Sequence, residues 1–159
     1  MTETEKSWIL VLDDEPLITQ TLQALLAAED AWGVAVFNNP VEAKASLGER
    51  SYRVVLSDFL MPEMDGISFL KEVRKRQPTA SRILLTGYAD KQNAIRSINE
   101  VGLYHYIEKP WDNAQLLLII RNGIERAGLI EELQERMRQM TEQDRSMAEL
   151  RDRLFKAIL

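Results

Sequence analysis

Five short apolar runs alternate with segments whose apolar residues recur every three or four positions, and this alternation leaves few possible architectures. The apolar runs predict strands at Trp8–Leu12, Val34–Phe37, Val54–Leu56, Ile83–Leu85 and, more weakly, Tyr104–Ile107. The intervening segments predict helices over Pro16–Ala28, Pro40–Leu47, Ile67–Arg76 and Gln92–Val101. Continuous apolar strands joined by helices are typical of a parallel sheet covered on both faces. The sequence therefore predicts an α/β domain with five strands and five helices.

The last part of the chain differs, because residues 129–159 contain neither glycine nor proline and mix acidic with basic residues. Gly128 is too weak a breaker to stop a helix, since one glycine costs about 1 kcal/mol. This pattern predicts one long helix, or two nearly continuous ones, over 112–159.

Heptad spacing in this tail predicts a coiled coil. The apolar positions of the repeat are Ile130, Leu133, Met137, Met140, Met147, Leu154 and Ile158. Asp144 and Arg151 fall on the same repeat and weaken it, because buried charges cost desolvation energy. We expect a parallel homodimer through 130–158, with an amphipathic helix folded back on the domain as the alternative.

Composition excludes several kinds of protein. The chain has no cysteine, which excludes disulfides and thiol nucleophiles, and its single histidine, His105, excludes a multi-histidine metal site. A net charge of −5 disfavours direct nucleic-acid binding, which needs a basic surface. No apolar run is long enough to cross a membrane, and the polar N-terminus does not resemble a signal peptide. We expect a cytoplasmic protein without membrane contact.

Polar residues follow four of the five predicted strands. They are Asp13 and Asp14 after the first strand, Asp58 after the third, Thr86 after the fourth and Lys109 after the fifth. The carboxyl ends of parallel strands meet at one edge, where open α/β sheets bind ligands. Three neighbouring carboxylates repel one another, and a hard cation such as Mg²⁺ relieves that repulsion. A carboxylate beside a lysine and a hydroxyl can also serve as a nucleophile that becomes an aspartyl phosphate.

Four segments resemble the receiver domain of two-component response regulators. They are LVLDDE at 10–15, SDFLMPEMDG at 57–66, LLTGY at 84–88 and YHYIEKP at 104–110. Their order and spacing agree with the family across 7–127, and the second segment is its most specific motif. The resemblance implies a flavodoxin-like fold with strand order 2-1-3-4-5. It also implies phosphoryl transfer from a sensor histidine kinase or phosphotransfer protein, with no enzyme activity beyond self-phosphorylation and autodephosphorylation.

The resemblance also assigns roles to individual residues. It implies that Asp58 is the phosphoacceptor and that Lys109 contacts the phosphoryl group. Asp14 and Asp58 would bind Mg²⁺ directly, Leu60 would bind it through its backbone carbonyl, and Asp13 would bind it through water.

Further positions match the family's switching elements. Thr86 and Tyr106 match its switch pair, in which the hydroxyl moves towards the phosphoryl group and the ring swings inward.

The resemblance also implies that the peptide bond before Pro110 is cis. Leu60 and Tyr88 are larger than many groups at these positions, and we hypothesise that they restrict the hydrolytic water and lengthen the phosphorylated lifetime.

Several alternatives stay open from the sequence. A pseudo-receiver would be a pure interaction module, and retention of the whole polar set argues against it. A haloacid-dehalogenase-like phosphatase would need an aspartate where Leu60 stands, and a flavodoxin-like cofactor binder would need a phosphate-binding loop where Asp13 and Asp14 stand.

The predicted organisation is a tail at 1–6, a receiver at 7–127 and a helical linker at 128–159. The apolar end of the chain suggests that the linker leads to an output domain not present in this sequence. By analogy, that output is an HD-type cyclic-dinucleotide phosphodiesterase or a diguanylate cyclase.

Overall fold

A five-stranded parallel sheet forms the centre of the molecule. The computed structural model describes residues 5–141 and 145–159, apart from the side chains of Tyr88, Thr141 and Arg145. The strands are β1 (Ser7–Leu12), β2 (Trp32–Phe37), β3 (Val54–Asp58), β4 (Ser81–Thr86) and β5 (His105–Glu108). Their order is β2-β1-β3-β4-β5, and every neighbouring pair is parallel. The flavodoxin-like fold class is confirmed.

Helices cover both faces of the sheet. They are α1 (Pro16–Ala27), α2 (Pro40–Ser46), α3 (Gly66–Arg76), α4 (Lys91–Arg96), α5 (Ile98–Val101), α6 (Asn113–Thr141) and α7 (Arg145–Ile158), with a 3₁₀ turn at Tyr88–Asp90. One apolar layer joins the sheet to α1 and α6, and the other joins it to α2, α3, α4 and α5. Among the described residues, no helix is long and apolar enough to cross a membrane.

Local sequence signals explain where several helices begin. Proline occupies the first turn of α1 and α2, where its missing N–H is not needed. Carboxylate caps start α3 and α6: Asp65 Oδ1 accepts from the Ser68 N–H at 2.7 Å, and Asp112 Oδ1 accepts from the Gln115 N–H at 2.9 Å.

The helix predicted over Gln92–Val101 is two helices, and that boundary prediction was wrong. The chain leaves helical geometry at Ser97, whose φ and ψ are −91° and −2°. The Ser97 hydroxyl donates to the Asn93 carbonyl at 2.9 Å, a local bond with which serine competes against regular helix geometry.

The tail forms two helices rather than one extended rod. Helix α7 packs against α6 and returns along it, so that Phe155 is buried and the end of α7 reaches the sheet domain. This is the folded-back arrangement that the sequence left as an alternative. Asp144, one of the charged heptad positions, lies outside the described residues. Pairing of two tails is not tested by a single chain and stays a prediction.

Gly66 shows why the loop after β3 ends in glycine. A Cβ at this position would lie 2.1 Å from the carbonyl oxygen of Asp58, which is backbone of a central strand. We expect Gly66→Ala to lower the free energy of unfolding by more than about 2 kcal/mol, because β3 or α3 would have to move.

Gly48→Ala provides the matched control for Gly66→Ala. A Cβ at Gly48 would meet only the Ala45 carbonyl oxygen, at an ordinary 3.6 Å. Gly48→Ala should change the free energy of unfolding by no more than about 0.5 kcal/mol, as measured by urea unfolding of both variants. Equal effects of the two substitutions would contradict the close-packing explanation.

Candidate functional site

Three carboxylates meet at the carboxyl edge of the sheet. Asp13 and Asp14 follow β1, and Asp58 is the last residue of β3. One oxygen from each lies within 4.8 Å of the others. Asp13 is fully buried and Asp58 is 8% exposed, whereas the carboxylate of Asp14 reaches solvent. Parallel pairing of β1 with β3 brings these strand ends together, as the sequence predicted.

A lysine bridges two of these carboxylates. Lys109 Nζ donates to Asp13 Oδ2 at 3.0 Å and to Asp58 Oδ1 at 3.1 Å. The Lys109 backbone N–H donates to the Thr86 carbonyl at 2.8 Å, which fixes the lysine beside the end of β4. The peptide bond between Lys109 and Pro110 is cis. The backbone of Lys109 is therefore held by β4, and its ammonium group is held by the carboxylates of Asp13 and Asp58.

The electrostatics of the site favour a cation. Burial, followed by the neighbouring charge of Asp13, raises the pKa of Asp58 from its usual 3.8 to about 6, although Lys109 and the Phe59 N–H oppose this. Burial alone would lower the pKa of Lys109, but its hydrogen bonds and charge interactions with Asp13 and Asp58 outweigh burial and raise it. The single positive charge of Lys109 therefore offsets only part of the negative charge of the three carboxylates.

The residues of the site fit a hard divalent cation. Carboxylate oxygens are the ligands that Mg²⁺ prefers, and one oxygen each of Asp13, Asp14 and Asp58 lies close enough to the others to share an ion, with Asp14 exposed to solvent. The acidic pocket is therefore suited to a metal ion.

Repulsion within this acidic pocket leads to a prediction about stability. In metal-free buffer at pH 7.5, Asp58→Asn should raise the free energy of unfolding by roughly 1–3 kcal/mol, because the native state disfavours the ionised carboxylate. The folded pKa of about 6 lies above the unfolded value, so this penalty is full above pH 6 and disappears as pH falls towards 3.8.

Urea unfolding at pH 7.5 and pH 4.5 measures the effect of Asp58→Asn. Asp65→Asn is the control, since Asp65 is an exposed cap that asparagine can replace. If Asp58→Asn raises the free energy of unfolding as much at pH 4.5 as at pH 7.5, the electrostatic explanation is contradicted.

Thr86 ends β4 without a polar partner for its side chain. The residue is fully buried, and its hydroxyl has no hydrogen-bond partner among the residues that the structure describes. A buried hydroxyl without a partner costs free energy, so this group is available to an incoming acceptor oxygen. Tyr106 lies on β5 opposite Leu84 and is half-buried against the second apolar layer. The structure thus places the two predicted switch residues on neighbouring strands.

The loop after β3 is only partly packed against the sheet domain. Met61 and Met64 pack against the second apolar layer, whereas Leu60 is 58% exposed. Its partner in the lifetime hypothesis, Tyr88, has a side chain outside the described residues.

Sequence reasoning missed two groups that orient the acids. The Phe59 N–H donates to Asp58 Oδ1 at 3.0 Å. Asn38 Nδ2 donates to the Asp13 carbonyl and to the Thr19 hydroxyl, both at 2.9 Å. Asn38 directly follows the second strand, and this position could have indicated its role in the site. It was missed because the prediction considered only charged groups and the Thr86 hydroxyl, and Asn38 carries an uncharged amide.

Comparison with known proteins decides the family. The family model described as the response regulator receiver domain matches residues 9–121. The chain belongs to this family. The hydrogenase transcriptional regulatory protein HoxA of Cupriavidus necator is 37% identical to this receiver over 125 residues, which are 79% of this chain and 26% of that protein. The chain thus spans about a quarter of the length of the curated relatives it matches.

Solved structures resemble this receiver over most of its length. The signal receiver domain of an HD domain-containing protein from Pseudomonas fluorescens Pf-5 is 33% identical with a TM-score of 0.75, over 83% of this chain and 96% of that one. A structure titled adenylate cyclase from Rhodopirellula baltica is 25% identical with a TM-score of 0.79, over 84% of this chain and 98% of that one. The names of the matched proteins thus include a transcriptional regulator and a cyclase.

Proposed function

We propose that this receiver accepts a phosphoryl group on Asp58 from a phosphohistidine of a sensor kinase or phosphotransfer protein. The observation that carries the proposal is the Lys109 ammonium held between Asp13 and Asp58, with Asp14 beside them. A carboxylate oxygen of Asp58 forms the new O–P bond as the P–N bond to the donor imidazole breaks. The imidazole keeps the bonding electron pair and is protonated by solvent.

Residues around Asp58 supply the charge that this transfer needs. Asp14 and Asp58 would bind Mg²⁺ directly, with the Leu60 carbonyl as a further ligand and Asp13 acting through water. When bound there, Mg²⁺ offsets negative charge on the carboxylates and the phosphoryl oxygens. Lys109 Nζ, already shared by two acids, reorients towards a phosphoryl oxygen and neutralises part of its charge.

Thr86 and Tyr106 carry the signal away from the site. The unpartnered Thr86 hydroxyl donates a hydrogen bond to a phosphoryl oxygen on Asp58 and thereby gains the partner that it lacks. Its movement frees space into which the half-buried Tyr106 ring turns, which alters the surface of β5 and α4. Leu60 and Tyr88 restrict the hydrolytic water and prolong this state.

Phosphorylation by a small donor tests the function directly. With acetyl phosphate and Mg²⁺, intact-mass spectrometry should detect one added phosphoryl group, which hydroxylamine removes as expected of an acyl phosphate. Chelation of Mg²⁺ should prevent the addition. A chain that gains no phosphoryl group under these conditions would be the pseudo-receiver interaction module instead.

We also propose that 7–127 is the signalling unit and that 128–159 connects it to an output. This output would be an HD-type cyclic-dinucleotide phosphodiesterase or a diguanylate cyclase. The HD domain-containing neighbour supports an HD-type output, and the similarity to HoxA supports a transcriptional one instead. The receiver itself would turn over no separate substrate and would bind no nucleic acid.

The proposed homodimer makes its own prediction. Several tail side chains on the heptad repeat are exposed in the single chain, among them Met140 at 63% and Leu154 at 39%. Light scattering across concentration should detect dimers of the full chain, which strengthen when beryllofluoride mimics phosphate on Asp58.

Met140→Glu should weaken this association by at least tenfold, which is about 1.4 kcal/mol. Leu129→Glu is the matched control, because Leu129 is 58% exposed on the same helix but lies off the repeat. A chain that stays monomeric at high micromolar concentration, with and without beryllofluoride, would exclude the coiled-coil dimer.

A further inference from the structure

The loop between β1 and α1 carries two of the three acids of the site. Asp13 is fully buried, whereas Asp14 is exposed to solvent. The two residues share one peptide group, which contains the Asp13 carbonyl and the Asp14 N–H. Because a peptide group is planar, its orientation determines the direction in which the Asp14 side chain leaves the backbone.

The end of β2 holds both backbone polar groups of Asp13. The Asp13 N–H donates to the Phe37 carbonyl at 3.1 Å, and the Asp13 carbonyl accepts from Asn38 Nδ2 at 2.9 Å. The first bond continues the pairing of β1 with β2, whereas the second comes from a side chain directly past the end of β2. Asn38 thus fixes the peptide group that leads into Asp14.

The second proton of the same amide also has an acceptor. Asn38 Nδ2 donates to the Thr19 hydroxyl at 2.9 Å, and that hydroxyl donates to the Pro16 carbonyl at 3.1 Å in the first turn of α1. Thr19 is only 1% exposed, and a buried hydroxyl needs hydrogen-bond partners. This Asn38 bridge, from the Asp13 carbonyl through Asn38 to Thr19, therefore joins the acidic loop, the end of β2 and α1.

The partners also determine which way round the Asn38 amide lies. If the amide were turned over, its Oδ1 atom would face the Asp13 carbonyl, and two acceptors would meet without a proton between them. Asn38 itself is exposed, so its replacement removes the bridge without opening a cavity in the core.

We propose that Asn38, supported by Thr19, is a positioning residue that sets the direction of Asp14 for Mg²⁺. The inference rests on the proposed function, in which Asp14 is a direct ligand. Mg²⁺ demands near-octahedral geometry, so a loosened ligand lowers its affinity. The contribution of Asn38 is geometric, because an amide adds no charge to the acidic pocket. Each of the five strands then contributes a group to the site, β2 through this amide.

Calorimetric titration with two metal ions tests the geometric role. Asn38→Ala should weaken Mg²⁺ binding about fivefold, less than the roughly 10–100-fold typical of groups bonded to a ligand side chain, because Asn38 acts through a backbone carbonyl. Binding of Ca²⁺, which accepts more flexible geometry, should weaken by less than about twofold. Equal losses for the two ions would overturn the proposal.

Asn39→Ala is the matched control, because it removes an asparagine at the next position. The Asn39 side chain instead caps α2, where its Oδ1 accepts from the Val41 N–H at 2.7 Å. Loss of this cap should lower the urea midpoint but change Mg²⁺ affinity by less than about twofold. A loss of Mg²⁺ affinity in Asn39→Ala as large as in Asn38→Ala would also overturn the proposal.

A double-mutant cycle separates positioning from a merely structural role. Thr19→Val removes the hydroxyl and should weaken Mg²⁺ binding about threefold, whereas Thr19→Ser keeps the hydroxyl and should retain the affinity. In the Asn38→Ala background, Thr19→Val should have no further effect, since both residues act through one bridge. Additive losses, or unchanged affinity in Asn38→Ala, would overturn this inference alone. Absence of Mg²⁺ binding by the unchanged chain would overturn the proposed metal site as well.

Discussion

Replacement of Asp58 by asparagine should abolish labelling by acetyl phosphate, so that the intact mass stays that of the unmodified chain. The amide is a poor nucleophile and carries no charge, while Asp13, Asp14 and Lys109 stay in place around it. Because the substitution also removes a buried carboxylate that Asp13 repels, we expect the variant to stay folded, and its urea unfolding curve checks this. The variant therefore separates the loss of chemistry from a loss of structure.

Asp65→Asn is the control for this labelling experiment. Asp65 lies in the same loop region, and its side chain caps α3 through the Ser68 N–H, a bond that asparagine also makes. Labelling of this variant should match that of the unchanged chain. Undiminished labelling of Asp58→Asn, with the phosphate on a neighbouring carboxylate, would refute the assignment of the phosphoacceptor.

The second large effect separates metal binding from phosphoryl chemistry. Asp14→Ala should weaken Mg²⁺ binding by at least tenfold, about 1.4 kcal/mol, because it removes a direct oxygen ligand. Lys109→Ala should leave Mg²⁺ affinity unchanged or higher, since its ammonium competes for oxygens of Asp13 and Asp58. The same variant should slow phosphorylation roughly 10²-fold, because one cation opposite the phosphoryl oxygens is lost.

Calorimetric titration with Mg²⁺ and labelling rates at saturating Mg²⁺ give the two readouts. Lys91→Ala is a suitable control for loss of a lysine, because Lys91 lies on α4 and pairs with Glu108 outside the acidic pocket. Weak Mg²⁺ binding by Lys109→Ala together with normal binding by Asp14→Ala would reverse the two proposed roles.

The sheet and the acidic pocket were predictable because each depends on short-range patterns. Apolar runs located all five strands, and the polar residues that end them are brought together by parallel pairing alone. The break at Ser97 was less predictable, because a serine inside a helical pattern can either continue the helix or bond to its own backbone.

The path of the tail could not be read from periodicity. The same apolar positions serve a coiled coil between chains or packing within one chain, and the choice depends on what the helix end meets. Here α7 reaches Arg82, which directly precedes the apolar run at Ile83–Leu85. Its burial follows from tertiary structure, which places α3, α5 and α6 around it.

Strand β4 carries the buried Arg82 near one end and the buried Thr86 at the other. Arg82 and Thr86 are four residues apart, so their side chains emerge on the same face of the strand, about 13 Å from each other. β4 pairs with β3 on one side and with β5 on the other, so both of its ends belong to one hydrogen-bonded sheet. Any free-energy coupling along β4 is reciprocal. If phosphorylation of Asp58 weakens the contact between α7 and Arg82, loss of that contact favours phosphorylation by the same factor.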